Sequence, residues 1–449
     1  MGTRLSDSPL YAHLWGTPEM ADLFAEERRL QSWLDILVAL ARAQAKLGIV
    51  PASAASSIAS RARVELLDME LVAEETRRTS HSTLGLIHGL ERVLGEETAR
   101  YVYLGATVQD VTDTWSGLVM RDAGALVWRD LLAVEAAVLE LAVRYRDTVL
   151  AGRTHGQPGS PTTFGLKAAS WADELRRHVD RLREGRPRWV VGQLAGAVGT
   201  LAFFGPAGPD LRAAFCAELG LGDPGVSWLT ARDRIAEFAH VLAMITATLA
   251  RIGAEIYELQ RPEIGELREP AAPGGVGSIT MPHKRNPEAA EHLGTLALLA
   301  RSSAGVLLET MVQQHERDGR GWKAEWIALP EVCQLTGAAL ALAGRVVPGL
   351  EIDTAAMAAN LHAHGGVPGA EQVLAHLSGR IGKHAAQRLL HSLLRDAPAD
   401  LPDALAAHGV ATVDEVRAWL ADPAVAGAGV MVDHVVARAH RARAAEEAW

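Results

Sequence analysis

ALVWRDLLAVEAAVLELAVRYRDTVLA, residues 125–151, contains neither glycine nor proline. As far as Arg144 its only charges are Arg129, Asp130, Glu135, Glu140 and Arg144 itself. As one helix it would run about 40 Å at 1.5 Å per residue, with Ala, Leu and Val on most faces. A helix of that kind is covered on most sides. Ser227–Ile252 is a second long run free of breakers. Thr163–Leu182 and Ala289–Gln314 are further helical candidates. Thr17-Pro18-Glu19 offers an N-cap, a proline at the first helical position and an early acid, which predicts a helix to Leu47 with Gly48 as its stop. Alternating β patterns are short, and the one β-like run is Trp189–Leu194.

The chain is therefore expected to be all-α. Its 449 residues suggest about three parts: a small N-terminal helical domain over 1–103, a central long-helix bundle over 104–345, and a small C-terminal helical domain over 346–449. Long helices that are apolar on several faces leave surface that one chain cannot cover, so self-association is expected.

Composition excludes several classes. Net charge is −10, which gives no excess of cations for nucleic-acid binding. Hydrophobic residues are 49% and charged residues 22%, which suits a large core. Aromatics are only 5%, with Trp the commonest at 11, so the core is mainly aliphatic. Cys216 and Cys333 are the two cysteines, too few for a disulfide scaffold or a thiolate metal site. The start of the chain, MGTRLSDSPLYAHLWG, lacks a signal-peptide core, and no uninterrupted apolar run nears 18 residues. A cytoplasmic protein with no membrane span is expected.

Glycine and proline gather at 152–161, 196–209 and 270–287, read as loops between long helices. The last contains Gly277-Ser278-Ile279-Thr280-Met281-Pro282-His283-Lys284-Arg285-Asn286-Pro287: two hydroxyls, a His, two cations and an amide. Asn286-Pro287-Glu288 reads as an N-cap, first helical residue and first-turn acid, so Lys284 and Asn286 would stand beside a helix N-terminus suited to an anion. Gly152-Arg153-Thr154-His155-Gly156-Gln157-Pro158 places a His between glycines. Leu104–Thr114 is a polar turn entering a helix.

These three segments resemble the three signature regions of the fumarase/aspartase superfamily. GSITMPHKRNP resembles its GSSxMPxKxNP loop, and Thr79-Ser80-His81, Gly196–Thr200 and Arg232-Asp233-Arg234 extend the likeness over nearly the whole chain. Within the superfamily the chain resembles the branch of adenylosuccinate lyase and 3-carboxy-cis,cis-muconate cycloisomerase. The resemblance implies three helical domains, a central five-helix bundle, and a homotetramer with a twenty-helix core whose active sites each take the three regions from three subunits. It implies β-elimination from a small substituted succinate, with no metal and no organic cofactor.

By that resemblance Ser278 is the base on a mobile loop, His155 the general acid, and Glu291 the carboxylate that orients His155. Lys284 and Asn286 hold the carboxylate that gains charge, with Met281 beside them. Thr107 and Gln109 contact the second carboxylate, Thr154 lines the site, and His81 lies near the leaving group. The physical demand is a base at carbon, cations and dipoles at the carboxylate, and an acid at the leaving group.

Departures narrow the substrate. The Ser-His-Ser-Ser run that follows the HERD segment in adenylosuccinate lyases is absent: Gln314-His315-Glu316-Arg317-Asp318 leads into Gly319-Arg320-Gly321-Trp322-Lys323-Ala324-Glu325-Trp326, a pattern similar to the cycloisomerase group. Tyr103 stands where both groups have His, Val108 replaces a Ser, and Ile279 replaces the second loop Ser. A changed polar pocket implies a changed substrate. The expectation is a specialised lyase on a small substituted succinate, breaking a C–N or similar C–X bond and including nitrosuccinate-type substrates, with Arg320 or Lys323 as a cation for the leaving group. A 3-carboxy-cis,cis-muconate cycloisomerase is the alternative, ahead of an adenylosuccinate lyase.

Overall fold

The computed structural model describes residues 4–271, 274, 277–363, 369–395, 400–421, 423–446 and 449. Its N-terminal part carries α1 (Pro18–Asp22), α2 (Glu26–Lys46), α3 (Ala52–Arg61), α4 (Met69–Thr79), α5 (Leu84–Leu94) and α6 (Glu96–Ala99). Thr17 does cap α1, its hydroxyl accepting from Met20 N at 3.2 Å. The single helix expected to Leu47 is instead broken between Asp22 and Glu26. No glycine or proline marks this break; it lies where Met20 packs against Gly337 of the bundle and Phe24 meets Trp115 edge-on. Packing, rather than local propensity, turns the chain there.

Five long helices follow: α7 (Val108–Arg144), α8 (Phe164–Trp189), α10 (Asp233–Gln260), α11 (Glu288–Glu309) and α12 (Gly319–Val346), with the short α9 (Gly208–Glu218) between α8 and α10. The helix expected at 125–151 begins 17 residues earlier and ends at Arg144. Tyr145–Thr148 turns, and Val149–Thr154 becomes strand β1, paired antiparallel with β2 (Gln157–Thr163). The cluster read as a loop at 152–161 is thus a hairpin. The Ser227 start moves to Asp233, and the β-like run 189–194 yields only a bridge from Val191 to Gly222.

Ion pairs fix the direction of each helix. The starts of α7, α10 and α12 meet through Arg232, Asp113 and Glu325. Lys167 at the start of α8 pairs with Glu255 near the end of α10, while Arg188 at its end pairs with Glu237 near the start. Thr310, just past α11, reaches Glu325. Helices α7, α10 and α12 therefore run one way and α8 and α11 the other.

Aliphatic side chains fill the bundle, as expected: Leu131, Val138, Leu175, Leu182, Leu242, Leu249 and Leu296 are fully buried. Among the described residues, Asp233–Gln260, Gly319–Gly349 and Val413–Ala444 are long and apolar enough, by length and composition, to cross a membrane. In the first two, 67% and 61% of the most apolar window is buried inside the fold, so the bundle uses that surface. Counting uninterrupted apolar runs did not reveal this.

After α12 come the two-residue strand β4 (Glu351–Ile352), paired with β3 (Leu267–Arg268), and helices α13 (Thr354–His362), α14 (Ala370–Ile381), α15 (Lys383–Leu394), α16 (Leu401–Ala407), α17 (Val413–Ala421) and α18 (Ala426–Ala444). Val373, Leu377, Leu390, Leu405 and Val416 form a core of their own. Helix α18 returns to the bundle instead. Arg443 reaches Glu135 of α7, Arg438 reaches Asp173 of α8, and the Trp449 ring lies tilted against Trp128, its indole N–H donating to Arg121 O at 2.8 Å.

Candidate active site

The turn entering α7 is tightly specified. Gly105 has φ 74°, and a Cβ there would lie 2.3 Å from Phe204. Tyr103 adopts φ 57°. Thr107 caps the helix in a capping box with Asp110. Asp110 is buried and accepts from Thr107 N at 2.9 Å, Ala195 N at 2.9 Å and Gly196 N at 3.2 Å. Burial pushes its carboxyl up to about 7 against those three N–H bonds. Asp110 thus ties the turn to the 195–196 segment. Burial and the nearby Asp110 also hold the Tyr103 phenol above its usual range, so it stays protonated at neutral pH.

Gln109, expected to touch the second carboxylate, is buried instead. Its Nε2 donates to Asp113 Oδ2 at 3.0 Å and Leu229 O at 2.8 Å. Its Oε1 accepts from Arg317 Nε at 3.1 Å, and Arg317 Nη2 donates to Thr107 Oγ1 at 2.9 Å. Arg317 has no carboxylate partner among the described residues. Arg232 pairs with Asp113 and Glu325, Arg153 with Glu266, and Arg320 with Asp318. Arg317 is braced by neutral groups only, so its charge is left for a ligand. Nothing in the sequence of the His315–Asp318 segment assigns Arg317 a role. An arginine in a loop before a helix was the available signal.

Arg320, expected as a cation for the leaving group, is an exposed partner of Asp318, the N-cap of α12, at 2.5 Å. Lys323 is exposed. His81 opens α5: its Nδ1 accepts from Leu84 N at 3.2 Å, which leaves the proton on Nε2 as a donor.

His155 sits at the tip of the β1–β2 hairpin. Thr154 pairs with Gln157, and the two loop residues His155 and Gly156 have φ 52° and 75°, the signs of a type I′ turn. Gly156 meets the second positive φ without strain, and His is among the few other residues that tolerate the first. Arg153 anchors the hairpin base by pairing bidentately with the buried Glu266 at 2.9 and 2.7 Å. Asn360 of α13 donates to the same carboxylate at 2.8 Å. Thr154 and His155 are exposed beyond this anchor.

On the glycine-rich loop, Ser278 Oγ accepts from Met281 N at 3.0 Å, and Asn286 Nδ2 donates to Gly277 O at 2.9 Å. Lys284 and Met281 are exposed, and Ile279 is 94% exposed. Arg285 is tied to Glu351 at 3.0 Å and to Glu269 O. The anion site expected behind Asn286 is already filled. Helix α11 begins at Glu288 with Pro287 at the cap, and the Glu269 carboxylate accepts from Ala289 N at 3.1 Å and Ala290 N at 2.6 Å. Burial raises that carboxyl, the two N–H bonds opposing it. Glu291, in the first turn of α11, is exposed and makes no bond with His155 within the chain.

These groups lie at two ends of the bundle. Thr107, Gln109 and Arg317 stand at the start of α7, while the hairpin and the Ser278 loop stand at its far end. Helix α7 is about 55 Å long, and α11, which leads from the Ser278 loop back to Thr310 beside Glu325, about 33 Å at 1.5 Å per residue, so the two sets stand roughly a helix length apart. One chain cannot close both sets on one small molecule. Among the described residues no group of three or more His, Cys, Asp or Glu side chains is placed to hold a metal.

A family model described as Lyase matches residues 15–300. The chain is 40% identical over 445 residues to the N-acetyl-S-(2-succino)cysteine lyase of Dickeya dadantii (strain 3937), covering 97% of this chain and 98% of that protein. It is 41% identical to a 3-carboxy-cis,cis-muconate cycloisomerase of Pseudomonas aeruginosa, covering 88% and 87%. The crystal structure of the 3-carboxy-cis,cis-muconate lactonizing enzyme from Pseudomonas putida matches with a TM-score of 0.88 at 37% identity, covering 97% of this chain and 99% of that one. With its all-α bundle and its three signature segments, the chain belongs to the fumarase/aspartase superfamily of lyases, in the branch that holds adenylosuccinate lyase and carboxymuconate cycloisomerase.

Proposed function

We propose that the chain cleaves a 2-succino thioether of the N-acetyl-S-(2-succino)cysteine type to fumarate and a free thiol. The observation that carries the dicarboxylate part is Arg317, a cation held by Thr107 and Gln109 with no carboxylate of its own among the described residues. One substrate carboxylate meets Arg317. Lys284 and Asn286 hold the other, the one on the carbon that loses its proton.

Ser278 removes that proton, the C–S electron pair leaves with sulfur, and a C=C bond forms between the two carbons. The thiolate then takes a proton, from His155 or from water. A cysteine-type thiol has a pKa near 8.5, so it departs as an anion far more readily than an amine does. This accords with Tyr103, a group that does not titrate near neutrality, at a position where the branch has His. The sequence alone leaned toward a C–N bond; the relatives' names and Tyr103 move the proposal to C–S.

The working unit is a homotetramer. Two observations support this: the two sets of groups lie at opposite ends of the helices in one chain, and α11 exposes Leu298, Leu299, Val306 and Leu308, with Val312 just beyond it and Ile327 on α12, apolar side chains suited to burial against another copy.

The test offers N-acetyl-S-(2-succino)cysteine, S-(2-succino)cysteine, N-substituted aspartates and 3-carboxy-cis,cis-muconate to the purified protein. Fumarate is followed at 240 nm and thiol by a disulfide dye. Equimolar fumarate and thiol are expected from the thioethers. Fumarate from the aspartates alone, or loss of muconate absorbance, would overturn the reading. Light scattering should give four chains per particle.

A further inference from the structure

Behind Arg317 lies a buried cluster that the elimination does not itself use. Arg232, fully buried, donates to Asp113 Oδ2 at 2.8 Å and Oδ1 at 3.0 Å, and to Glu325 at 2.8 and 2.5 Å. Its guanidinium also lies 5.0 Å from the Trp228 ring and donates to Trp228 O at 3.2 Å. Glu325 continues to Thr310 at 3.2 Å. Such a cluster could simply hold three helix starts together. One contact goes further: Asp113 Oδ2 also accepts from Gln109 Nε2.

An amide can present either its oxygen or its nitrogen to a neighbour, and only the oxygen suits a guanidinium. At Gln109 the choice is made from behind. The NH2 group faces two acceptors, Asp113 and Leu229 O, so the oxygen is left pointing at Arg317. Flipped, the NH2 would face Arg317 donor to donor, and the oxygen would face the Asp113 carboxylate. Both contacts are repulsive in a buried setting, where they are not screened.

We propose that Asp113, held by Arg232, sets the orientation of the Gln109 amide and through it keeps Arg317 in its carboxylate-binding pose. Asp113 and Gln109 are positioning residues, acting through Arg317. The proposal rests on the reading of Arg317 as a substrate-carboxylate site. Glu325 binds Arg232 from the other side, touches neither Gln109 nor Arg317, and contributes to stability alone.

The experiment measures fumarate binding by calorimetry, and KM and kcat where turnover exists, on the purified full-length protein. Asp113→Ala removes the acceptor and should weaken fumarate binding about tenfold, as loss of a hydrogen bond to a charged group does. Glu325→Gln should lower the melting temperature about as much as Asp113→Ala does yet leave fumarate affinity within twofold. Gln109→Met removes the amide itself and should weaken fumarate binding to the same degree. Adding Asp113→Ala to Gln109→Met should weaken it no further, because both residues act through one contact.

If Asp113→Ala does not fold, Gln109→Met carries the test: a Gln109→Met variant that binds fumarate within twofold of the starting protein overturns the proposal. So do equal shifts in Asp113→Ala and Glu325→Gln, which would mark a purely structural cluster. An Arg317→Gln control separates the two failures. If it loses binding while Asp113→Ala does not, the positioning idea falls and the Arg317 reading stands. If Arg317→Gln binds fumarate normally, the reading of Arg317 itself is wrong.

Discussion

The two ends of the bundle are built on opposite plans. At the start of α7 the polar groups are buried and doubly bonded: Asp110 accepts three backbone N–H bonds, Gln109 makes three bonds, and Arg232 is enclosed by two carboxylates. At the far end Ser278, Lys284 and His155 are half-buried or exposed, and among the described residues Ser278 has a single side-chain hydrogen bond, from Met281 N. An anion clamp works best when its dipoles are fixed before the ligand arrives. A base that must meet carbon in a dry site has to arrive with a closing loop. Substitutions at the first end should therefore cost stability, and binding as well where they touch Arg317 or its supports, whereas those at the second should remove chemistry and leave the fold intact.

The largest expected effect is at the loose end. Ser278→Ala should lower kcat by about 10²–10⁴-fold, the usual contribution of a positioned base. It removes only the bond from Met281 N, so the melting temperature should hold within about 1 °C, consistent with surface substitutions that touch little. Stopped assays for fumarate and thermal melts on one preparation decide it. A large fall in melting temperature would show that the loop is part of the frame. Next comes the clamp. Arg317→Gln should raise KM about a hundredfold, from the loss of charge-assisted bonds of about 1.5–3 kcal/mol each, with kcat changed far less. An equal loss in kcat with KM unmoved would place Arg317 at the reacting carbon instead.

Much of this contrast could be read from the chain, but unevenly. The breaker-free runs at 125–151 and 227–252 located α7 and α10 because a long apolar stretch without Gly or Pro has nothing to end a helix. The break before Glu26 left no trace, since packing against Gly337 and Trp115 creates it. The hairpin was hidden by its composition. Gly152, Pro158, Gly159 and Pro161 read as loop, and what makes strands of them is pairing, anchored by Arg153 on Glu266, 113 residues away. Likewise Asn286 looked like the cap of α11, and Glu269, 17 positions upstream of it, holds that place. Segment identity survived the passage to structure. Which segments share an end of the bundle did not show in sequence, because only the helix directions settle it.

A third prediction probes the rigid frame between the two ends. His178 on α8 is buried; its Nε2 donates to Thr248 Oγ1 at 2.8 Å, and that hydroxyl donates to Glu174 at 2.6 Å. Its Nδ1 accepts from Arg181 at 3.1 Å, so a second proton would meet a guanidinium. Burial, with Arg181 adding to it, lowers the imidazole from 6.5 to about 4. The unfolded chain then binds more protons than the folded one between those values. The stabilisation is complete above pH 6.5 and is lost as pH falls toward 4. A shift of that size corresponds to about 3 kcal/mol. Denaturant melts at pH 7 and pH 4.5 should show the loss, and His178→Gln, which can still donate to Thr248, should flatten it. An unchanged slope in the variant would assign the pH dependence to other groups.

The smallest effect expected lies where frame and loop join. Glu269 caps α11 with both carboxylate oxygens, and Glu269→Gln leaves one of Ala289 N and Ala290 N facing an NH2 group. Loss of half a cap costs about 1 kcal/mol, or about 1 °C for a chain of this size. The cost has a predictable pH sign. Burial raises the folded-state carboxyl above its ordinary 4.5, so the folded protein holds this proton longer than the unfolded chain does. The starting protein therefore loses some stability as pH rises through that window, and the Gln variant does not. The gap between the two should be widest near pH 4 and narrow toward pH 7. A gap that widens with pH would mean the ionised carboxylate is the favoured cap, its two N–H bonds outweighing burial. The start of α11 would then resemble the fixed end of the bundle more than the loose loop it adjoins.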